Sequence, residues 1–255
     1  MHGLLLVDAR SSHREADEIR SDLRVLGRRT VRWVVNTHAH YDHCFGNHRF
    51  GPGSDVGAPI YGHERVPAHL TEFEEPMLAR WIAQGREPAA DWREVVITPP
   101  DELVGDHAVL DLGERRVELV HLGRGHTDNY LIVHVPDATT WLVGDLVEQS
   151  GPPMYGSGCF PLNWPDTIGA LRGRLVDDAT IVPGHGAVVG PAFVADQHAA
   201  LRSVADLIRE LHAAGIAAVD AVPVSGARWP FPADGLSHAV TAGYRQLEGS
   251  GGPGA

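Results

Sequence analysis

The sequence predicts an α+β fold in which helices cover β-sheet. Three observations carry this. Short apolar runs bounded by Gly, Pro and Asp recur in both halves of the chain and read as strands. Apolar stripes at helical spacing lie between and after them. No repeat, long linker or break in composition divides the 255 residues. A single domain over residues 1–247 is therefore expected, followed by a disordered tail at 248–255.

The elements follow in chain order. LLLVD (4–8) reads as a buried strand. Ser12 and Glu15 form a Ser-x-x-Glu capping pattern, which starts a helix whose face carries Ile19, Leu23 and Leu26. TVRWVVN (30–36) is a second strand and APIYGH (58–63) a third. Residues 64–93 mix acidic residues with Phe73, Met77, Trp81 and Trp92; they read as a helical insertion, either flanking a cleft or covering ordinary core. EVVIT, HAVLDL, RRVELVHL, NYLIVHV and TTWLVGD then read as strands between 94 and 145. Residues 150–164 are too rich in Gly and Pro for regular structure. A helix over 166–176 and a strand at ATIVPGHG come next. Val194, Leu201, Val204, Ile208 and Leu211 mark one face of a long helix, and Leu236, Val240, Tyr244 and Leu247 mark a last one near 235–247.

Composition narrows the function. The net charge of −12 and the scarcity of Lys and Arg argue against nucleic-acid binding. No apolar run approaches the ~20 residues of a membrane span, and the N-terminus makes a poor signal peptide. The two cysteines, Cys44 and Cys159, are far apart and fit free thiols in a reducing compartment, so a cytoplasmic protein is expected.

Sixteen histidines are many for this length, and one segment concentrates them. NTHAHYDHCFGN (36–47) follows a buried strand and holds His38, His40, Asp42 and His43 within six residues. In an extended turn, side chains two apart point the same way, so His38 and His40 can hold one ion. Asp42 and His43 face elsewhere as a helix begins, so one loop can serve two metals. Three further ligand types stand at other strand ends: His126 in LGRGHTDN, Asp145 in TTWLVGDL and His185 in TIVPGHG. Singly, each reads equally well as a turn. Together they point to a site built where strand ends converge.

In order and spacing, these motifs resemble the five-motif signature of the metallo-β-lactamase-fold hydrolases, over nearly the whole chain. The resemblance implies an αββα sandwich with two metal ions, zinc foremost, with iron or manganese suiting the same ligands. It places His38, His40 and His126 on the first ion and Asp42, His43 and His185 on the second. Asp145 would bridge them, and Asp8 would support the site without binding metal. Asp42 would also orient the attacking water or relay its proton. The family has one or two strands ahead of the segment matching GLLLVDAR, so the sandwich is expected to lack its first N-terminal strands. A bridging aspartate is typical of the broad hydrolase branch and usually absent from the true lactamases. The implied reaction is cleavage of an ester, thioester, lactone or phosphodiester in a small-molecule substrate by water activated between the metals. Two alternatives stand beside it: a mononuclear iron enzyme acting on persulfides, and a non-catalytic degenerate member. Met154, Tyr155, Phe160 and Trp164 would line a pocket or pack the loop, and Cys44 would be a small buried thiol.

Overall fold

The computed structural model describes residues 3–25, 27, 30–113 and 115–249. Leu26 of the predicted helical stripe and the tail from 250 lie outside them. The chain divides into two compact units. Unit 1 comprises residues 1–121 and 129–138, and unit 2 comprises 122–128 and 139–255.

Unit 1 contains a parallel sheet in the order β1 (Leu4–Val7), β2 (Val31–Val35), β3 (Ile60–His63), β4 (Glu102–Val104). Parallel neighbours need crossovers, and helices supply them. The crossover from β1 to β2 is α1 (His13–Val25). Its start keeps half of the expected capping box. The Ser12 hydroxyl accepts the Glu15 N–H at 3.3 Å, but the Glu15 carboxylate turns back to Ser11 and accepts its N–H at 3.1 Å. The inner face of α1 places Ala16, Ile19 and Leu23 against Val31, Val34, Phe50 and Ile60.

Between β2 and β3 lies the short helix α2 (Tyr41–Cys44). Between β3 and β4 come α3 (Val66–His69), a π-helical turn (Leu70–Glu74), α4 (Glu75–Ala83) and α5 (Ala89–Glu94). This is the predicted helical insertion, and its tryptophans are core. Trp81 and Trp92 lie with ring centroids 4.8 Å apart and pack with Phe45, Val66, Leu70 and Leu78. EVVIT, predicted as a strand, is not one. Glu94 ends α5, and Val95 and Ile97 turn onto the tryptophan cluster. Pro99 and Pro100 lack the N–H groups a ladder needs. Unit 1 also holds an antiparallel set, β5 (His107–Asp111), β6 (Arg116–Val120) and β7 (Ile132–Val135).

In unit 2, β8 (Thr140–Glu148) and β9 (Thr180–His185) pair in parallel through α6 (Trp164–Arg172). The predicted helix at 166–176 thus begins two residues earlier and stops at Gly173. The long helix α7 (Pro191–Ala213) buries all five residues of the predicted stripe. Two helices follow, α8 (Ala218–Ser225), which the sequence reading did not anticipate, and α9 (Leu236–Gly249). Gly243 sets the spacing of α9, because a Cβ there would lie 2.7 Å from Ile208 Cγ2. No described helix is long and apolar enough to cross a membrane.

The tryptophan cluster sets an expectation for stability. Truncating Trp92, which is 6% exposed, to Ala should cost about 3–5 kcal/mol in chemical denaturation. Trp92→Phe should cost much less, because the buried indole N–H makes no hydrogen bond.

Candidate metal centre

Parallel strands end on the same edge of their sheet, and loops at the carboxyl ends of such strands are where α/β proteins place their chemistry. The register Val7↔Val35 puts the residue after β1 beside those after β2. Asp8 therefore meets Thr37. Its carboxylate accepts the Thr37 N–H at 2.7 Å, the Thr37 hydroxyl at 2.8 Å and His43 Nδ1–H at 2.8 Å. Asp8 adopts φ +62°, a conformation aspartate tolerates better than most residues. Asp8, expected to support the site, thus bonds to Thr37 and His43.

From Asp8 the tautomers of the ligand loop follow. The Thr37 hydroxyl gives its proton to Asp8, so it accepts from His38 Nδ1, 3.1 Å away. His38 then keeps its lone pair on Nε2. That atom lies 3.1 Å from His40 Nδ1. The His38 ring is held flat against Tyr130, at 4.6 Å and 12°. His43 also donates through Nδ1, and its Nε2 lies 3.7 Å from Asp42 Oδ2. His38 and His43 have ring centroids 4.2 Å apart. Unit 1 thus brings together His38, His40, Asp42 and His43, with the three imidazoles buried.

The loop is fixed by further buried bonds. The Asn36 and Asn47 side chains pair with each other at 2.7 and 3.0 Å, and the Asn129 carbonyl accepts the Ala39 N–H at 3.0 Å. Gly46 admits the passing backbone, since a Cβ there would lie 2.0 Å from the Ala9 carbonyl oxygen. Cys44 is buried, and its thiol donates to the Ala39 and His40 carbonyls. Burial pushes its pKa well up, with Glu74, Asp8 and Asp42 adding to the effect.

Unit 2 brings together the other three predicted ligands. Asp145 Oδ2 lies 3.5 Å from His126 Nε2 and 3.5 Å from His185 Nε2. His126 Nδ1 meets the Met154 carbonyl at 2.8 Å, which again leaves the lone pair on Nε2. Asp145 sits where β8 is irregular against β9, just after Gly144 at φ +50°. Its neighbour across the ladder has to be glycine, because a Cβ on Gly184 would lie 1.8 Å from Asp145 Oδ1.

The predicted pocket residues divide. Tyr155 and Trp164 are buried, with ring centroids 5.3 Å apart, and Trp164 donates to the Leu146 carbonyl at 3.2 Å. Both pack the loop. Phe160 lies under the Arg124 guanidinium at 4.9 Å, and Met154 is exposed. The sequence reading missed His69 and Glu74, which are buried and form a third potential ligand group with His40. Their five-residue separation matches neither helix nor strand, so no periodic signal marked them.

The chemistry of these sets suits metal. Carboxylates and neutral imidazoles with Nδ1 tied down are the usual donors for zinc-type ions, and an oxygen partner on the second nitrogen is how proteins orient such ligands. Residues 2–207 match the model of the metallo-beta-lactamase superfamily, and the chain belongs to that family. A curated relative, metallo-beta-lactamase type 2 of Bacillus sp. (strain 170), is 24% identical over 188 residues, covering 73% of this chain and 63% of its own length. The same-named protein of Bacillus cereus is 25% identical, at 73% and 64% coverage. The chain thus spans just under two thirds of these relatives. Among solved structures, a metallo-beta-lactamase from Pontibacter korlensis gives a TM-score of 0.64 at 19% identity, over 79% of this chain and 83% of that one. A double mutant of the sec-alkyl sulfatase PisA1 gives 0.74 at 15% identity, over 98% of this chain and 47% of that one. The fold is the α+β sandwich of the metallo-β-lactamase type.

Two substitutions test how the ligands are held. Asp8→Asn cannot accept all three donors. It should weaken metal binding roughly 10–100-fold in a chelator competition without changing the number of ions bound. Gly184→Ala should displace the Asp145 carboxylate and lower bound metal, measured by elemental analysis, while far-UV circular dichroism stays close to that of the parent.

Proposed function

We propose that the two ligand sets serve one binuclear centre, zinc foremost, and that the protein is a hydrolase of a small ester, thioester, lactone or phosphodiester. The observation that carries this reading is the shared arrangement of His38, His43 and His126. Each has Nδ1 against an oxygen and Nε2 turned toward other ligand-type atoms. A separation of 3.5 Å between Asp145 Oδ2 and each of two imidazole nitrogens is long for a hydrogen bond. It matches the roughly 3.3–3.5 Å between two donors on one tetrahedral ion with bonds of about 2.0–2.1 Å. The ligand order along the chain and membership of the family support the same reading.

A bound metal pair would activate water and polarise the substrate. The residues of this chain would do the rest. His38, His40 and His126 would hold one ion, Asp42, His43 and His185 the other, and Asp145 would bridge. Asp42, the more exposed of the acids beside His43, would take up or pass on a proton. Asp145 favours the broad hydrolase branch over the lactamases, although the curated relatives carry the lactamase name. The two cysteines, read as free thiols, fit a cytoplasmic enzyme, and the acidic composition argues against nucleic acid as its partner.

A panel of thioester, lactone, phosphodiester and β-lactam substrates, run beside metal analysis, tests the reading. Two zinc per chain on these seven ligands, and turnover of one of the first three substrates, are expected. Asp145→Ala should reduce that turnover at least ~100-fold while the fold persists. Unchanged turnover in this variant would remove the bridging role. One iron per chain, with no hydrolysis, would favour the persulfide-oxidising alternative.

A further inference from the structure

The residues after β3 build a second cluster, wholly within unit 1. On an α-helix, residues five apart point about 140° away from each other, at roughly 100° per residue. His69 and Glu74 are five apart, yet their side chains meet, with His69 Nε2 3.6 Å from Glu74 Oε1. The π-helical turn Leu70–Glu74 brings them together, because its wider i→i+5 closure stacks residues of that spacing. Such turns are rare, and they are frequent at functional sites.

The pair also lies against the ligand loop. The rings of His40 and His69 are 5.3 Å apart, and one donor atom from each of His40, His69 and Glu74 lies within 4.8 Å of the others. All three residues are buried, His69 to 4% exposure and Glu74 to 1%. Glu74 Oε2 accepts the Tyr41 N–H at 3.1 Å, which anchors the carboxylate. His69 Nε2 is fully buried and makes no hydrogen bond. A buried imidazole nitrogen without a hydrogen bond costs free energy that a bound ion would recover. The 3.6 Å to Glu74 is beyond hydrogen-bonding reach and near the spacing of two donors on one ion.

We propose that His40, His69 and Glu74 form an auxiliary site for a divalent cation of the zinc type, adjoining the binuclear centre and sharing His40 with it. Two imidazoles and one carboxylate are a donor set zinc accepts, with a fourth position for water. His40 would serve both sites as a bridging imidazolate, both ring nitrogens donating and its N–H proton passing to solvent as the second ion binds. Its Nδ1 faces His38 Nε2 at 3.1 Å, so Nε2 is the atom for the auxiliary ion. The site needs no residue of unit 2 and does not depend on the hydrolase reading.

Zinc counted on the full chain after dialysis against buffered micromolar zinc tests this. The parent should hold one equivalent more than Glu74→Gln and one more than His69→Gln. The same difference should persist when Asp145→Ala and His185→Ala are both present. Equal zinc counts in the parent and both single variants would overturn the proposal. So would a general loss of affinity at unchanged stoichiometry, which would make the pair a support for the His40 ring. Should either variant lose the parent's circular dichroism, anomalous scattering at the zinc edge from crystals of the parent decides. A peak between His69 and Glu74 supports the site, and no peak there overturns it. Failure of the hydrolase reading would show separately, as absent turnover with this ion still counted.

Discussion

The carboxylate of Asp8 is the constraint on which the ligand loop depends. It takes three donors, two from Thr37 and one from His43. Because an ionised carboxylate only accepts, each of these bonds fixes a proton. The Thr37 proton points to Asp8, so the Thr37 oxygen must accept from His38. One acid thereby sets the tautomer of two imidazoles, His43 directly and His38 through a hydroxyl. The bonds are short because β1 and β2 run parallel and end in register, which places Asp8 beside Thr37 before any side chain is chosen. Backbone pairing supplies the position, and the charge then supplies the direction.

Unit 2 solves the same problem with glycine. Asp145 lies inside a strand, where side chains normally alternate into packed layers. Gly144 takes the positive φ that re-aims the chain, and Gly184 leaves the volume that the carboxylate fills. His126 is tied to the Met154 carbonyl, and so to the irregular loop after β8. The irregularity of that loop brings a carbonyl to the back of a ligand ring. Trp164, packed at 5.4 Å from the same ring, holds it from the side.

The candidate ligands were legible in the sequence because each lies within or soon after an apolar run read as a strand, and because short-range spacing encodes the relative direction of His38, His40, Asp42 and His43. Asp8 was legible only through the family resemblance. What periodicity could not show was any feature made by an exception to it. His69 and Glu74 meet only through a π-helical turn, which has no signature in a 3.6-residue pattern. Val95 to Thr98 carry strand-forming residues, but tertiary packing on Trp81 and Trp92 outweighed that preference, and two prolines closed off the ladder. Ala218–Ser225 was missed because Pro223 stands within it. Among the aromatic residues of the loop after Asp145, the sequence alone could not separate lining from packing, because both need the same side chains.

The nucleophile can be narrowed by elimination within the chain. Cys44 follows the ligands directly and would be the obvious covalent candidate. Its thiol is spent on the Ala39 and His40 carbonyls, closing the turn that carries the histidines. Burial and three neighbouring carboxylates oppose its ionisation, and a thiol that stays protonated is a poor nucleophile. Cys159 is also buried, and its pKa is pushed up to about 12. Thr37, whose hydroxyl lies beside His38, already gives its proton to Asp8 and accepts from His38. Each of these groups is committed to holding the ligand loop or buried in its protonated form. For the reaction we propose, their commitment agrees with water as the attacking group, which the family resemblance implies and which the chain would place and deprotonate.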